Sequence, residues 1–436
     1  MFMKRMFLPA GQGAFYCERF MNRAGNWKMN FVYDCGVLLF CPGISNDSQL
    51  CKNRLQWLED VIDSIFDEGE AIETVFISHL HEDHISGLKH LAKRCKIKRI
   101  YLPFVDKESR QLMLLDYVTR SLKSTNYTSD GRNDFVAKVL TSEDLESSLP
   151  GLLDLEVKPD VQVVRGDDGE QVVPVGTSRN SDEDTLGISA SYSGRDKAVS
   201  LSYFWKYKLF CITDDNAANN VKKQLLELAN NELGENKTEI TAESVAKLIN
   251  KSCDPDNKHR KSMINKICNI YKDNVESSDY NKQSLVVYSA CCDTERLWTV
   301  KEHCPHLFSG AHSSCLNLPK GKQSYHHSCK KYAVSCLYTG DFNAQDEECW
   351  KKLKGKFSSK EWESIGCVQI PHHGSRGSYN GKFLDMEACH VISAGLGSCF
   401  RHPSLSVLDT YQGRGGFPIV VTQNPNSCVC FSISPR

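Results

Sequence analysis

The sequence predicts a mixed α/β fold, and three stretches carry that expectation. The first 45 residues alternate short apolar runs with turn signals in "RMFLPAGQG", "AFYCERF" and "MNFVYDCGVLLFCPG", a pattern of paired β-strands. Residues 48 to 122 alternate helical and strand periodicity. From residue 284 onward, five strand-like runs are separated by helical segments.

Each element has its own justification. Residues 48 to 66 place Leu50, Leu55, Leu58, Val61, Ile62 and Ile65 at helical spacing. The strand "TVFIS", the helix "ISGLKHLAKRC", the strand "IKRIYLPF" and the helix "ESRQLMLLDYVTRSL" follow as βα units. Residues 143 to 186, with "GDDGEQ" and "TSRNSDEDTLG", are rich in the residues of exposed loops and hairpin tips. Between about 217 and 275, "NVKKQLLELANN", "TAESVAKLINK" and "KSMINKICNIYK" predict an inserted helical unit, with "TAES" fitting a capping box. The later runs "SLVVYSA", "YAVSCLYTG", "SIGCVQIP", "CHVISAG" and "FPIVVTQ" read as strands. The helices expected among them are "QDEECWKKLKG", "NGKFLDMEA" and "SLSVLDTYQ". "GQG" near the start is too short for a dinucleotide fingerprint and reads as a hairpin turn.

Composition sets limits. The 436 residues suffice for one large domain with insertions or for two domains. Lysine and arginine number 53 against 54 acids, so no global positive field draws the chain to nucleic acid or anionic lipid; any polyanion site is local. The start lacks the unbroken apolar stretch and cleavage pattern of a signal peptide, and no window approaches the ~18 apolar residues of a membrane span. The expectation is a cytoplasmic protein with no membrane partner. Twenty cysteines without a repeated framework read mostly as buried thiols.

The densest chemistry lies in "FISHLHEDHISGL", residues 76 to 88. Buried ionisable groups cost free energy unless they are paired or bind a metal, so a packed core gains nothing from this crowd. His79, His81, Asp83 and His84 form His-x-His-x-Asp-His between a strand and a helix. A turn leaving a strand can aim alternate side chains at one point and the next pair at a second. Imidazole and carboxylate suit zinc, manganese or iron.

With this motif the sequence resembles the metallo-β-lactamase fold superfamily, and the resemblance continues in order. "FLPAGQGAFYCERF" followed by "FVYDCG" resembles the opening hairpin of the branch that contains the nuclease-like domain of bacterial competence DNA-uptake proteins. "SLVVYS" and "CLYTGDF" resemble the strand pair that delivers a bridging aspartate, here Asp341, with Gly340 allowing a tight turn. "VQIPHHGSRGS" and "VISAGLGSCFRHPS" resemble that branch's closing motifs. The resemblance covers most of residues 5 to 140 and 284 to 436. It implies an αββα sandwich whose halves are residues 1–140 and 284–436. The insertion 141–283 is then expected as a partly helical appendage with a lid or protein-partner role.

The resemblance also implies a metal-dependent hydrolase that uses a metal-bound hydroxide, with two Zn2+ per chain, or Mn2+ in their place. His79 and His81 would hold the first ion, Asp83 and His84 the second; Asp341 would bridge them and His373 complete the shell. Asp83, His372 and His402 form the expected catalytic set, with His402 as either the last ligand or an acid. Ser375 would offer its hydroxyl to a phosphate oxygen. The expected substrate is a phosphodiester in nucleic acid or a nucleotide. Two alternatives stay open: hydrolysis of a thioester or lactam, and a regulatory module with an incomplete metal site.

The second alternative arises because many members of the fold carry a further histidine between the first motif and the bridging aspartate. His303, His306, His312, His326 and His327 are available here, none in a matching context. With Cys304, Cys315 and Cys329 they could form a separate structural zinc site, although their spacing fits no standard pattern. Lys258, Arg260 and Lys261 could grip phosphates, but such a cluster reads more simply as a solvated helix face.

Overall fold

The computed structural model describes residues 2–21, 28–39, 48–123, 134–155, 157–165, 171–175, 205–211, 215–254, 256–275, 284–292, 298–303, 334–396 and 400–435. The chain begins with three antiparallel strands, β1 (Phe2–Phe7), β2 (Phe15–Met21) and β3 (Lys28–Cys35). Helix α1 (Ser48–Ile65) leads to the short β4 (Ala71–Ile72) and to β5 (Thr74–Phe76). The next stretch, expected as one helix, is two: α2 (Glu82–Ile85) and α3 (Leu88–Arg94). The break falls at Ser86 and Gly87, where a β-carbon on Gly87 would lie 2.6 Å from Leu58 and 3.0 Å from the Cys35 sulfur. Strands β6 (Lys96–Ile97) and β7 (Arg99–Pro103) follow, then helices α4 (Lys107–Lys123), α5 (Asp134–Thr141) and α6 (Leu145–Leu152).

The middle of the chain carries β8 (Asp160–Val164), β9 (Gln171–Val175), β10 (Trp205–Cys211), and helices α7 (Asp215–Leu233), α8 (Ala242–Cys253) and α9 (Arg260–Val275). Thr241 caps α8 by accepting from Ser244 N, without the reciprocal half of a capping box. The last part holds β11 (Leu285–Cys291), β12 (Trp298–His303), β13 (Ser335–Tyr338), α10 (Glu347–Gly355), α11 (Ser359–Glu363) and β14 (Ile365–Gln369). After them come β15 (Cys389–Ser393), α12 (Leu405–Gly413), β16 (Ile419–Val421) and β17 (Val429–Pro435). The expected helix "NGKFLDMEA" is only a 3-10 turn, held by Asn380, whose side chain accepts from Lys382 N and donates to the Ala344 carbonyl.

Two mixed sheets form the frame. The first has the order β12-β17-β1-β2-β3-β5-β7-β8 and the second β16-β15-β14-β13-β11-β10-β9, while β4 and β6 pair separately. In each sheet an antiparallel half continues into a parallel half: β3, β5, β7 and β8 in one, β13, β14, β15 and β16 in the other. Alternation along the strands makes this a four-layer stack. In β3, Met29, Phe31 and Tyr33 enter the core between the sheets, while Val32 and Cys35 face the core under α1 and α3. In β11, Leu285 and Val287 face the first sheet, and Val286, Tyr288 and Ala290 face the core under α10 and α12. The fold is therefore an α/β sandwich of the metallo-β-lactamase kind, as the sequence led us to expect.

Residues 141–283 are more than an appendage. They supply β8 to the first sheet and β9 and β10 to the second, and β10 pairs with β11 over seven residues. Val, Tyr, Phe and Leu at alternate positions make these runs strands, a signal masked by the polar loops around them. Helices α7, α8 and α9 add Val221, Leu225, Leu248, Met263 and Ile267 to the core that also holds Leu112 and Met113 of α4. Arg260 donates to the Ser252 carbonyl at 3.0 Å, a capping contact that leaves its guanidinium partly used. Among the described residues no helix is long and apolar enough to cross a membrane.

One charged cluster lies inside the core between the sheets. Glu18 accepts from Arg5 Nε at 2.7 Å, Tyr207 at 2.6 Å, Ser289 at 2.6 Å and Tyr338 at 3.0 Å, while Arg5 also donates to the Val334 carbonyl. These contacts join β1 and β2 to β10, β11 and β13, and so fix how one sheet sits on the other. Removing one partner of a buried pair costs about 3–5 kcal/mol, because the other charge is left buried and unpaired. We therefore expect Glu18→Leu to lower stability by that order in urea denaturation. The Arg5→Met/Glu18→Leu pair should recover only the share due to the stranded Arg5 charge, because Tyr207, Ser289 and Tyr338 still lack their acceptor, and equal losses in the single and double variants would contradict this role.

His390, buried on β15, is pushed down to about 4 by desolvation. It is neutral in the folded protein and titrates near 6.5 when unfolded. Its contribution is therefore present above about pH 6.5 and lost as pH falls toward 4. The wild type should lose about 3 kcal/mol more than His390→Leu between neutral pH and pH 4, measured by urea melts at each pH. Parallel losses in the two proteins would contradict it.

Candidate metal centre

The carboxyl ends of the parallel strands converge at one edge of the sandwich, where ligands bind in open α/β sheets. Past β5 the backbone is pinned on both sides. Ile77 N donates to the Tyr101 carbonyl at 2.9 Å, and Leu285 N donates to the Ser78 carbonyl at 2.8 Å. His79 and His81 leave this pinned segment, and His81 serves as the extended N-cap of α2. Asp83 and His84 lie in the single turn that follows, so the motif turns a corner and faces the cleft twice. Gly340, after β13, has φ +55, and a β-carbon there would lie 2.5 Å from that of Ser78. Only glycine permits this turn, which presents Asp341 between the two groups.

Three overlapping sets of ligand atoms result, each within 4.8 Å: His79, His81 and Asp83; His79, His84 and Asp341; Asp83, His84 and His373. Asp341 is central. One carboxylate oxygen lies 3.3 Å from His84 Nε2, and the other lies 3.5 Å from His79 Nε2 and 3.6 Å from His372 Nε2. His373 Nε2 lies 3.2 Å from Asp83. His79, His84, Asp341 and His373 are all buried.

The far sides of three of the imidazoles are occupied. His84 Nδ1 donates to Asp34 at 2.8 Å, and His373 Nδ1 donates to the Ser393 carbonyl at 2.8 Å. Ser78 Oγ lies 2.9 Å from His79 Nδ1 and accepts its proton in the tautomer that leaves Nε2 bare. Each acceptor sets the tautomer and turns Nε2 toward the cleft, as ligating histidines require. His79 Nε2, His84 Nε2 and one oxygen of Asp341 are buried with no hydrogen-bond partner. Buried polar atoms are seldom left so. A divalent cation would satisfy all three, so the donor set fits a metal.

The electrostatics agree with a site built for positive charge. Burial opposes ionisation of Asp341, yet His372, His84 and His79 hold its carboxyl well below the usual range. Asp83 is likewise driven down against burial by His84 and His373. Burial would lower His84, but Asp341, Asp34 and Asp83 raise it well above the usual imidazole value. His79 goes the other way, lowered by burial and by neighbouring His84.

The remaining expected residues divide. His372 stands beside Asp341 with Nδ1 3.0 Å from Ser378 Oγ. His372 and His373 both adopt left-handed φ, +50 and +54, and strain of this kind collects at functional sites. His402 lies one ring farther out, 5.7 Å between centroids from His372, and outside the three close sets. Burial and the neighbouring histidines push it down to about 3, so at neutral pH its ring carries no extra proton to give to a leaving group. Ser375 stands in the turn after His373, with its hydroxyl oxygen taken up as an acceptor and its O–H left as a donor. It is buried, and its hydroxyl accepts from Gly377 N at 3.3 Å, closing a turn. The histidine and cysteine cluster at 304–329 lies outside the described residues, and His303 ends β12.

Asp34 is the residue that sequence reasoning missed. It stands one residue before the end of β3 in a left-handed conformation, φ +54, and accepts from Ser78 N at 2.7 Å as well as from His84. Its signal was the polar "DCG" that closes the apolar run "FVY".

Residues 35–177 match the family model of the metallo-β-lactamase superfamily. No curated protein matches the chain. The sandwich, the ligand sets and this match define a chain with the metallo-β-lactamase fold and a possible His/Asp metal site, and they support a metal-dependent hydrolase.

The orienting role of Asp34 can be tested directly. Asp34→Asn keeps an acceptor for Ser78 N but removes the charge behind His84. Zinc affinity from chelator competition should fall about 10–100-fold. Unchanged affinity would show that Asp34 only shapes the backbone.

Proposed function

We propose that this chain is a phosphodiesterase acting on nucleic acid or nucleotides, with two Zn2+ or Mn2+ ions held by His79, His81, Asp83, His84, Asp341 and His373. The observation that carries the reading is the set of bare, buried Nε2 and carboxylate atoms converging on one cleft. Cations held there would supply Lewis acidity and lower the pKa of water from 15.7 to roughly 7.

The chain's own residues do the rest. Asp341 lies between the two histidine groups and fixes their separation. Asp34, Ser78 and the Ser393 carbonyl keep the imidazoles turned inward. Asp83 faces both His373 and His84 and can hold a water proton by hydrogen bonding at the cleft. His372, partly open to solvent and beside Asp341, is placed to donate to a substrate oxygen from Nε2 while Ser378 braces Nδ1. His402 reads as a neutral donor or ligand at the outer edge rather than a protonated acid. The phosphodiester reading, rather than a thioester or lactam, is supported by the likeness of "VQIPHHGSRGS" and "FRHPS" to the closing motifs of nuclease-like members.

The test is turnover of bis(p-nitrophenyl) phosphate against a thioester and a lactam by the zinc- or manganese-loaded chain. The phosphodiester should have the highest kcat/KM, and a preference for either other bond would overturn the substrate class. Asp341→Asn keeps the size of the side chain and removes its charge, which matters most as charge develops in the transition state. We expect kcat to fall by roughly 100-fold or more with a smaller change in KM. A wild-type rate at full metal occupancy would refute the bridging role.

A further inference from the structure

Arginine stays charged in proteins, and its planar fork seeks a carboxylate, phosphate, carbonyl or ring face. In this chain nearly every described arginine has one. Arg5 pairs with Glu18, Arg99 with Asp160, Arg120 with Asp116 and Arg414 with Asp385. Others donate to carbonyls, as Arg110 does to Glu143 and Arg260 to Ser252, and Arg165 lies over the Phe104 ring. Among the described residues, the side chains of Arg376 and Arg401 have no such partner. Both are exposed.

Their position is as distinctive as their lack of partners. Arg376 follows His373 by three residues, and Arg401 immediately precedes His402, so the two flank the cleft on separate loops. Those loops are laced together. Ser404 N donates to the Gly374 carbonyl at 3.0 Å, and Arg376 N donates to Ser404 Oγ at 3.1 Å. At Gly374, φ +76, a β-carbon would lie 2.8 Å from that of Pro403, an approach only glycine allows. Arg401 has φ +54, a left-handed backbone that a non-glycine residue keeps only where its surroundings hold it. Two unpartnered guanidiniums are thus carried on a braced rim beside the metal-ligand cluster.

We propose that Arg376 and Arg401 form an anion subsite that grips a phosphate next to the one being hydrolysed, so that the substrate is a single-stranded nucleic acid with several phosphates. This rests on the phosphodiesterase reading. The two side chains are exposed, and each is carried by a loop that continues into a residue of the site, Arg376 three positions after His373 and Arg401 next to His402. A neighbouring phosphate on the same strand would pass over them, and the guanidinium fork matches its oxygens. The chain has almost no net charge, so local pairs such as this one must supply the attraction for a polyanion.

The test uses the full chain and its Arg376→Gln/Arg401→Gln variant in two assays. In the first, binding of a short fluorescent single-stranded DNA to the metal-free proteins is followed by anisotropy at several salt concentrations. Loss of two phosphate contacts should weaken binding about 10-fold or more and reduce the log–log salt slope by about 1.4. Equal affinity and slope in both proteins, or no binding by the wild type, would overturn the subsite. In the second, kcat/KM on the oligonucleotide should fall at least ~10-fold further than on bis(p-nitrophenyl) phosphate, which has a single phosphate. Equal losses on both substrates would put the arginines on the scissile group and also overturn it. Arginine-dependent binding without hydrolysis of either phosphodiester would support the subsite while contradicting the phosphodiesterase reading.

Discussion

Asp341 is the constraint on which the rest of the site depends. A carboxylate that is nearly fully buried, with one oxygen left without a hydrogen bond, is costly unless positive charge meets it. The imidazoles around it meet part of that cost. The same imidazoles are braced from the far side by Asp34, Ser78 and the Ser393 carbonyl, which keeps each Nε2 turned toward the cleft. Without a cation, His84 holds a second proton against the carboxylate, and a bound cation would take that proton's place. Buried hydrogen bonds keep that arrangement in place, and its donor set suits a divalent cation.

The two sheets make such precision attainable. His79, His81, Asp83 and His84 come from the first sheet, whereas Asp341, His372 and His373 come from the second. Their separation depends on how the sheets stack. Tyr33 bridges them by donating to the Leu285 carbonyl at 2.8 Å, and it stacks with Tyr338 at 5.1 Å between centroids. The Arg5 and Glu18 cluster fixes the stacking farther down. The aromatic floor and the buried charges therefore hold constant a distance that no single loop could maintain.

Much of this was legible in the sequence. The strand and helix order followed from periodicity, and the first motif announced a metal because four ligand-type residues in six positions have no use in a packed core. The order of Gly-Asp at 340 and His-His at 372 extended the site. What remained hidden depends on long-range contact. Asp34 lies 50 positions from the histidine it orients, and a lone aspartate at a strand end looks like any turn residue. The turn that Ser375 closes by accepting from Gly377 N was equally hidden, since a hydroxyl beside glycine suits a phosphate and a turn alike. The strands β8, β9 and β10 were obscured by polar neighbours, since membership of a sheet depends on what pairs alongside.

The most direct measurement is the anomalous scattering of zinc or manganese in crystals of the chain soaked with the ion. The account predicts two peaks per chain, ~3.5–4 Å apart, with Asp341 touching both and the Nε2 atoms of His79, His84 and His373 facing them. A cluster with no peak after soaking, or a single peak that leaves Asp341 uncoordinated, would contradict it.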